Sequence, residues 1–283
     1  MRYLLLLFML HSWQSSASNT EPCTEGPQCV AQQQLHLSMA LGYGQRSNPL
    51  HGGKELSLVV LPEIYYYSEH WFFDNGILGS SMALSDNVQL SVLGQLNQEK
   101  GYFKKWFSGN VLQFNTATVG PALETAFVSR ADITLQQVNK RPTAFDLGVQ
   151  LDWFSDTWQA QAALWQDISN SYNGQHASIS LNRGWQKFSS SWQLSLRLYW
   201  KSAKLIDTYY GIDDNEALFL PRYNGKPSWQ PELRLNWQKP LSERVSLLAF
   251  VRYLHLDDAM TQSPLVRSDK VTTWFLGVSY RFY

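Results

Sequence analysis

The sequence predicts an all-β chain: a transmembrane, antiparallel, up-and-down β-barrel of about twelve strands, with ten as the fallback count. Three observations carry this. Apolar residues recur at every second position through segments roughly ten residues long, the period of a strand with lipid on one face and a polar interior on the other. The chain opens like an exported one, with Arg2, an unbroken apolar stretch from Leu4 to Leu10, and then Ser15-Ser16-Ala17 at the positions a signal peptidase reads. It is also poor in charge and rich in rings: 16% charged and 14% aromatic, against roughly 25% charged in an ordinary soluble domain. A helical membrane protein is excluded, because past the leader no apolar run approaches the ~20 residues a spanning helix needs. The longest runs from Leu247 to Val251. Lys+Arg 23 balances Asp+Glu 23, so no surplus of cations points to a nucleic-acid partner.

From the N-terminus, residues 1–17 read as a signal peptide and 18–34 as a periplasmic segment, with 35–283 forming the barrel. Cys23 and Cys29 lie close together in the exported part and read as one small disulfide loop, with an unpaired, reduced pair as the alternative in a weakly oxidising compartment. No His accompanies them at metal-ligand spacing, and no metal or other cofactor is expected. Strands follow. Segment 35–43 carries Leu35, Leu37, Met39, Leu41 and Tyr43 on one face; 88–97 sets Val88, Leu90, Val92 and Leu96 against Gln89, Ser91, Gln95 and Asn97. In 145–153, Phe145, Leu147, Val149, Leu151 and Trp153 alternate with Asp146, Gly148, Gln150 and Asp152. Segment 192–201 is the cleanest: Trp192, Leu194, Leu196, Leu198 and Trp200 face lipid, and the row begins and ends in Trp as an aromatic girdle requires. Trp274, Leu276, Val278, Tyr280 and Phe282 close the set. A soluble sandwich also alternates, but its strands usually run about five or six residues.

The expected strands lie near 35–45, 55–67, 70–83, 87–97, somewhere in 110–139, 143–154, 158–168, 175–185, 190–201, 228–237, 244–256 and 271–283. Short polar connections at 85–87, 155–157 and 239–243 alternate with longer ones at 45–55, 168–175, 202–227 and 257–270, as periplasmic turns alternate with external loops. Pro62 and Pro231 sit inside strand-like runs, where a closed barrel has no edge to excuse a missing donor; a bulge or a late strand start is expected at each. Residues 98–142 alternate poorly, and are expected to fold into the barrel mouth or lie in the periplasm.

Near the C-terminus the residues resemble a known family. Asp207-Thr-Tyr-Tyr-Gly-Ile212, then Glu216-Ala217, then Tyr223, resembles the YYGV…EA…Y stretch of the MipA/OmpV outer-membrane proteins. Ser263-Pro264-Leu265-Val266 and the ending Leu276-Gly-Val-Ser-Tyr-Arg-Phe282 resemble two further segments, as do Val138-Asn-Lys-Arg141 leading into Leu147-Gly148-Val149, and Asp167-Ile-Ser…Gly174. Ile212 replaces the usual Val, and Tyr283 extends one residue past the usual aromatic end. The resemblance implies a barrel in the outer membrane of a Gram-negative bacterium, contacting lipid and lipopolysaccharide. It implies assembly by the barrel-assembly machinery, which reads a terminal aromatic among Tyr280, Phe282 and Tyr283. It also implies a scaffold that holds a lytic murein transglycosylase and a murein synthase together; other members are porin-like or adhesive surface proteins.

The enzymatic candidate is His176-Ala177-Ser178, a His and a Ser on one face of one strand. A lipid hydrolase needs that pair toward the bilayer, yet Ala177, Ile179 and Leu181 form the apolar row. His176, Ser178 and Ser180 therefore belong to a polar lumen row, and no enzymatic activity is expected. The interior faces carry Asp146, Asp152, Arg197, Glu232, Arg234, Arg252 and Arg281. These either select charge in a water-filled channel or pair with one another in a narrow, filled lumen; pairing is the preferred reading, with a narrow diffusion channel as the alternative function. Tyr209, Tyr210 and Gly211 open the longest loop, and read as girdle tyrosines at a strand end or, with Asp213, Asp214 and Glu216, as an exposed contact surface.

Overall fold

The computed structural model describes residues 33–103, 138–214 and 220–282. The signal peptide, Cys23 and Cys29, Glu216 and Tyr283 lie outside them, as does 104–137. Twelve antiparallel strands close into one barrel. They are β1 (Leu35–Arg46), β2 (Leu56–Tyr67), β3 (Trp71–Asp74), β4 (Ile77–Ser85), β5 (Val88–Leu96), β6 (Phe145–Phe154), β7 (Trp158–Asp167), β8 (Gln175–Lys187), β9 (Ser190–Lys201), β10 (Ser228–Pro240), β11 (Val245–His255) and β12 (Lys270–Arg281). Each pairs with its neighbours in sequence, and β1 closes on β12 from Ser38↔Arg281 to Arg46↔Thr273. Among the described residues, a 3-10 turn (Glu99–Phe103) and two short helices, α1 (Ala203–Tyr210) and α2 (Asp258–Thr261), lie between strands.

The twofold period sets the outward row. Leu41, Ile179, Leu196 and Leu276 are each more than half exposed, which a soluble fold does not tolerate in such numbers but lipid requires. On β9 the distance from Trp192 to Trp200 spans eight residues; at about 3.4 Å per residue and a tilt near 40° this covers roughly 20 Å of bilayer, close to the apolar band of known barrels. Trp185 stacks on Trp192, and Trp192 meets Trp237 at a tilt, in a row near the end that carries the short turns, the periplasmic end of such a barrel. Tyr280 and Phe282 point outward there, edge to face.

The count of twelve is right, but its composition differs from expectation. Segment 70–83 holds two strands, β3 and β4, joined at Asn75-Gly76, whose φ values of 46° and 94° make the left-handed two-residue hairpin that Asn-Gly favours. No strand is needed from 110–139, because β5 pairs directly with β6 from Val88↔Trp153 to Leu96↔Phe145. The hairpin is short, so β3 pairs only with Tyr65–Tyr67 of β2. Ile64 still addresses Asn75 with both its N–H and its C=O. Two residues further on, Pro62 addresses the same side, where among the described residues the ladder has ended. Pro231 is explained alike. Trp229 donates to Asp257 on the β11 side, and the β10–β11 ladder begins only at Glu232↔Leu254. Each proline thus turns its missing donor toward a local edge. Neither the bulge nor the late strand start expected at these residues is found there; the nearby register shift falls between Leu41 and Gly44 of β1.

Candidate functional site in the barrel lumen

Two apolar clusters pack inside the barrel. On the β1, β2, β11 and β12 side, Ala40, Leu56, Leu58 and Phe275 form a dry cluster joined by Leu61, Leu248 and Phe250. The Phe275 ring packs over Gly42 and Gly277, where a Cβ on either would come within 2.8 Å or 2.7 Å of it. At the extracellular end a second cluster closes the mouth, built from the 3-10 turn, α1, α2 and the loops around them, with Leu50, Tyr102, Leu205, Ile206, Tyr209, Tyr210, Met260 and Leu265 buried together.

This plug is held by buried polar contacts. Glu99 accepts from Lys201 of β9 at 2.5 Å and from the Tyr210 hydroxyl at 2.6 Å. Burial pushes the Glu99 carboxyl up, but the Lys201 ammonium and these hydrogen bonds outweigh it and hold the group below its usual range. Burial and the adjacent Glu99 carboxylate push the Tyr210 phenol well up, so it remains a donor. Asp146 accepts from Asn97 and Tyr172, each at 2.7 Å, and pairs with His176 Nε2 at 2.9 Å. Ser263 Oγ donates to the Tyr210 carbonyl, Arg141 to that of Gly211, and Tyr209 to that of Pro142. Ile212 and Tyr223 pair through their backbones.

Of the loop residues singled out in the sequence, Tyr209, Tyr210 and Gly211 therefore belong to the plug, whereas Asp213 and Asp214 are exposed and Glu216 lies outside the described residues. Tyr209 and Tyr210 are fully buried in α1. They form neither girdle nor exposed contact surface, because an eight-residue amphipathic helix folds them into the mouth. Ser263 is buried, with Pro264 beside it. Asp257 accepts from Ser228 and Trp229, and Asp214 faces Arg222. The described ends of 98–142 enter the mouth and not the periplasm.

Of the seven lumen charges, Arg252 and Glu232 form an ion pair at 2.6 Å. The general pairing expected among them is not found in the described residues. Asp152 is held by Gln150, Gln159 and Gln161. Arg197 donates to Tyr199 and Arg234 to Asn236. Arg281 sits at the periplasmic rim, exposed. Sequence reasoning missed Glu99, Arg46 and Tyr102; the first and last lie in a segment without period two, and no signal marked them. His176 stacks on Trp165 and gives Nε2 to Asp146, and no hydrogen bond joins it to Ser178. Both face inward, away from lipid, as their strand register requires. Among the described residues no helix is long and apolar enough to cross a membrane, and no group of three or more His, Cys, Asp or Glu is placed to hold a metal ion.

Beneath the plug lies a cavity of about 390 Å³, roofed by Glu99, Tyr102 and Leu205 and walled by strand residues including Arg46, Gln161, Trp165, Ser178, Arg197 and Arg252.

Comparison with known proteins gives this barrel its relatives. A protein of Escherichia coli (strain K12) named as the outer membrane protein YiaT is 25% identical over 250 residues, covering 87% of this chain and 91% of that protein. The MltA-interacting protein of the same strain is 33% identical over 87 residues, 29% of this chain and 34% of its own. Among solved structures, the NanC porin aligns over 87% of this chain and 98% of its own at 10% identity and a TM-score of 0.39. An outer membrane channel from Pseudomonas putida F1 aligns over 92% and 100% at 9% identity and a TM-score of 0.38. The model of the family described as MltA-interacting protein MipA matches residues 37–282. Twelve closed strands with a lipid-facing apolar row thus carry that family's pattern from end to end, and the chain belongs to the MipA family of outer-membrane barrels.

Proposed function

We propose that this barrel works by position and not as a general diffusion pore: it anchors a rigid contact surface in the outer membrane, with a murein transglycosylase and a murein synthase as its partners. The single observation that supports it best is the layer of buried side chains across the mouth, in which Leu50, Leu205, Ile206, Tyr209 and Tyr210 are almost wholly out of solvent. A plug so packed favours a filled barrel over an open one. The partner class comes from the family description, whose relative is named for its interaction with MltA.

The chain itself is read as non-enzymatic, since His176 is spent on Asp146 and Trp165. Affinity capture of the folded full chain from solubilised membranes tests the scaffold. Both murein enzymes should co-purify with it, and loss of both across several detergents overturns that role. Large, stable conductance steps in a planar bilayer would overturn the closed reading. A change in lipid turnover on Ser178→Ala would overturn the non-enzymatic one.

A further inference from the structure

We propose that the lumen holds a binding site for a small organic anion, gripped by the guanidinium groups of Arg46, Arg197 and Arg252 beneath the plug. This stands apart from the scaffold role and does not depend on it.

Strand register assembles the site. Arg46 of β1 lies opposite Thr273 of β12, Thr273 opposite Arg252 of β11, and Arg252 opposite Arg234 of β10. In the adjoining row Arg197 of β9 lies opposite Glu232. Side chains so paired leave the wall about 5 Å apart, and like charges directly opposite repel. Four guanidinium groups thus share an arc of wall with one carboxylate, and Glu232 is taken by Arg252 through both Nε and Nη2.

The other three find no carboxylate among the described residues. Arg46 lies over the Tyr102 ring at 4.4 Å, and its buried Nε has no hydrogen-bond partner. Arg197 reaches only Tyr199, and its Nε is likewise buried and unpartnered. Arg234 reaches Asn236 and the Phe250 ring. The carboxylates lining the cavity are occupied, Glu99 by Lys201 and Tyr210 and Asp74 by Tyr67 and Asn75, and Asp146 behind the lining His176 is held by Asn97, Tyr172 and that imidazole. Asp152, three strands from Arg197 along its row, is held by glutamines.

Uncompensated cations out of bulk water are costly, and a counter-anion relieves the cost. The guanidinium fork matches a carboxylate or a phosphate group, each of which offers two oxygens in one plane. Arg46, Arg197 and Arg252 line the cavity of about 390 Å³, a volume suited to a small solute. Gln150, Gln161, Gln230, Ser178 and Tyr199 line it as well and supply hydrogen bonds to the uncharged part.

Isothermal titration of the folded full-length protein in non-ionic detergent tests this, with inorganic phosphate and gluconate as probes in a chloride background. Binding of phosphate, of gluconate or of both supports the site and tells which anionic group it takes. Arg46→Gln and Arg197→Gln should each weaken binding by about tenfold, the worth of one charge-assisted hydrogen bond. Arg183→Gln, on the outer face beside Trp158, should leave it unchanged. Glu232→Gln removes the competing carboxylate and should tighten binding, which keeps the test decisive if an arginine variant does not fold, as judged by heat-modifiable mobility. No binding of either probe above chloride by the wild-type protein overturns the proposal. So does equal affinity in well-folded wild-type, Arg46→Gln and Arg197→Gln proteins.

Discussion

Replacing Glu99 by Gln keeps the volume of the side chain and removes its charge, which isolates the electrostatic lock of the plug. In the native protein the Lys201 and Glu99 side chains are only 10% and 11% exposed and meet at 2.5 Å. With Gln at 99, the Lys201 ammonium stays buried without its counter-charge, and breaking a buried pair in this way costs about 3–5 kcal/mol. The strand ladders are untouched, so the cost falls on the plug. Amide exchange in α1 reads it directly, because Ile206 and Gly211 donate to Ser202 and Asp207 only while the helix is formed. Their opening free energy should drop by those few kcal/mol while exchange in β9 and β10 changes little. Adding Lys201→Met to Glu99→Gln removes both charges and should recover most of the loss, since an apolar replacement of a buried pair is often neutral. If Glu99→Gln moves the α1 amides by less than about 1 kcal/mol, the pair does not hold the plug. If the double variant is as labile as the single one, the cost is not that of an orphaned charge.

Three other perturbations test other levels of the structure. Lowering pH should release the plug: Glu99 has a folded pKa below its usual 4.5, so its contribution is full above that value and is lost as pH falls through the lower folded one, with faster α1 exchange as the readout. Leu196→Arg, midway between Trp192 and Trp200 and half exposed to lipid, should cost about 2–4 kcal/mol in urea-controlled folding into liposomes, whereas Ser195→Ala, facing the lumen, should cost far less. Gly148→Ala places a Cβ within 2.5 Å of the Trp165 ring and should destabilise the barrel by about 1–3 kcal/mol in the same assay.

The wall was legible because lipid enforces period two on every strand that touches it. Trp192 to Trp200 and Trp274 to Phe282 could be assigned a face without any knowledge of neighbours. The β3–β4 hairpin was also written in the chain, as Asn75-Gly76, but four residues of β3 are too few to show a period against a nine-residue partner. The prolines pointed the other way. A closed ladder seemed to forbid Pro62 and Pro231, yet uneven strand lengths leave edges inside a closed barrel. The plug was not legible. Its helix and turn have no lipid face, and Glu99 meets Lys201 and Tyr210 across more than a hundred residues of chain. The dry part of the lumen was missed for a related reason: Leu56, Leu58 and Phe275 face inward, Phe275 against Gly42 and Gly277, where alternation alone predicts polar residues.

The placement of the family motif changes what membership in that family means for this chain. In sequence, Tyr209 and Tyr210 read as girdle tyrosines or as part of an exposed contact surface, while Tyr223 and Ser263 carry only the family resemblance. In the fold they spend their polar atoms on one another's surroundings: Tyr210 on Glu99, Ser263 on the Tyr210 carbonyl, Tyr223 on the Ala259 carbonyl. A side chain whose donors are satisfied internally has little left with which to hold a partner. These described motif residues therefore help close the mouth, and a change at them should act first on plug opening. An anion beneath the plug would bind the closed arrangement of Arg46, whose ring partner Tyr102 belongs to the plug itself. Plug order and lumen occupancy are then linked by that one residue. Arg46→Gln should loosen the 3-10 turn, and addition of the anion should slow α1 exchange in the wild-type protein but not in that variant.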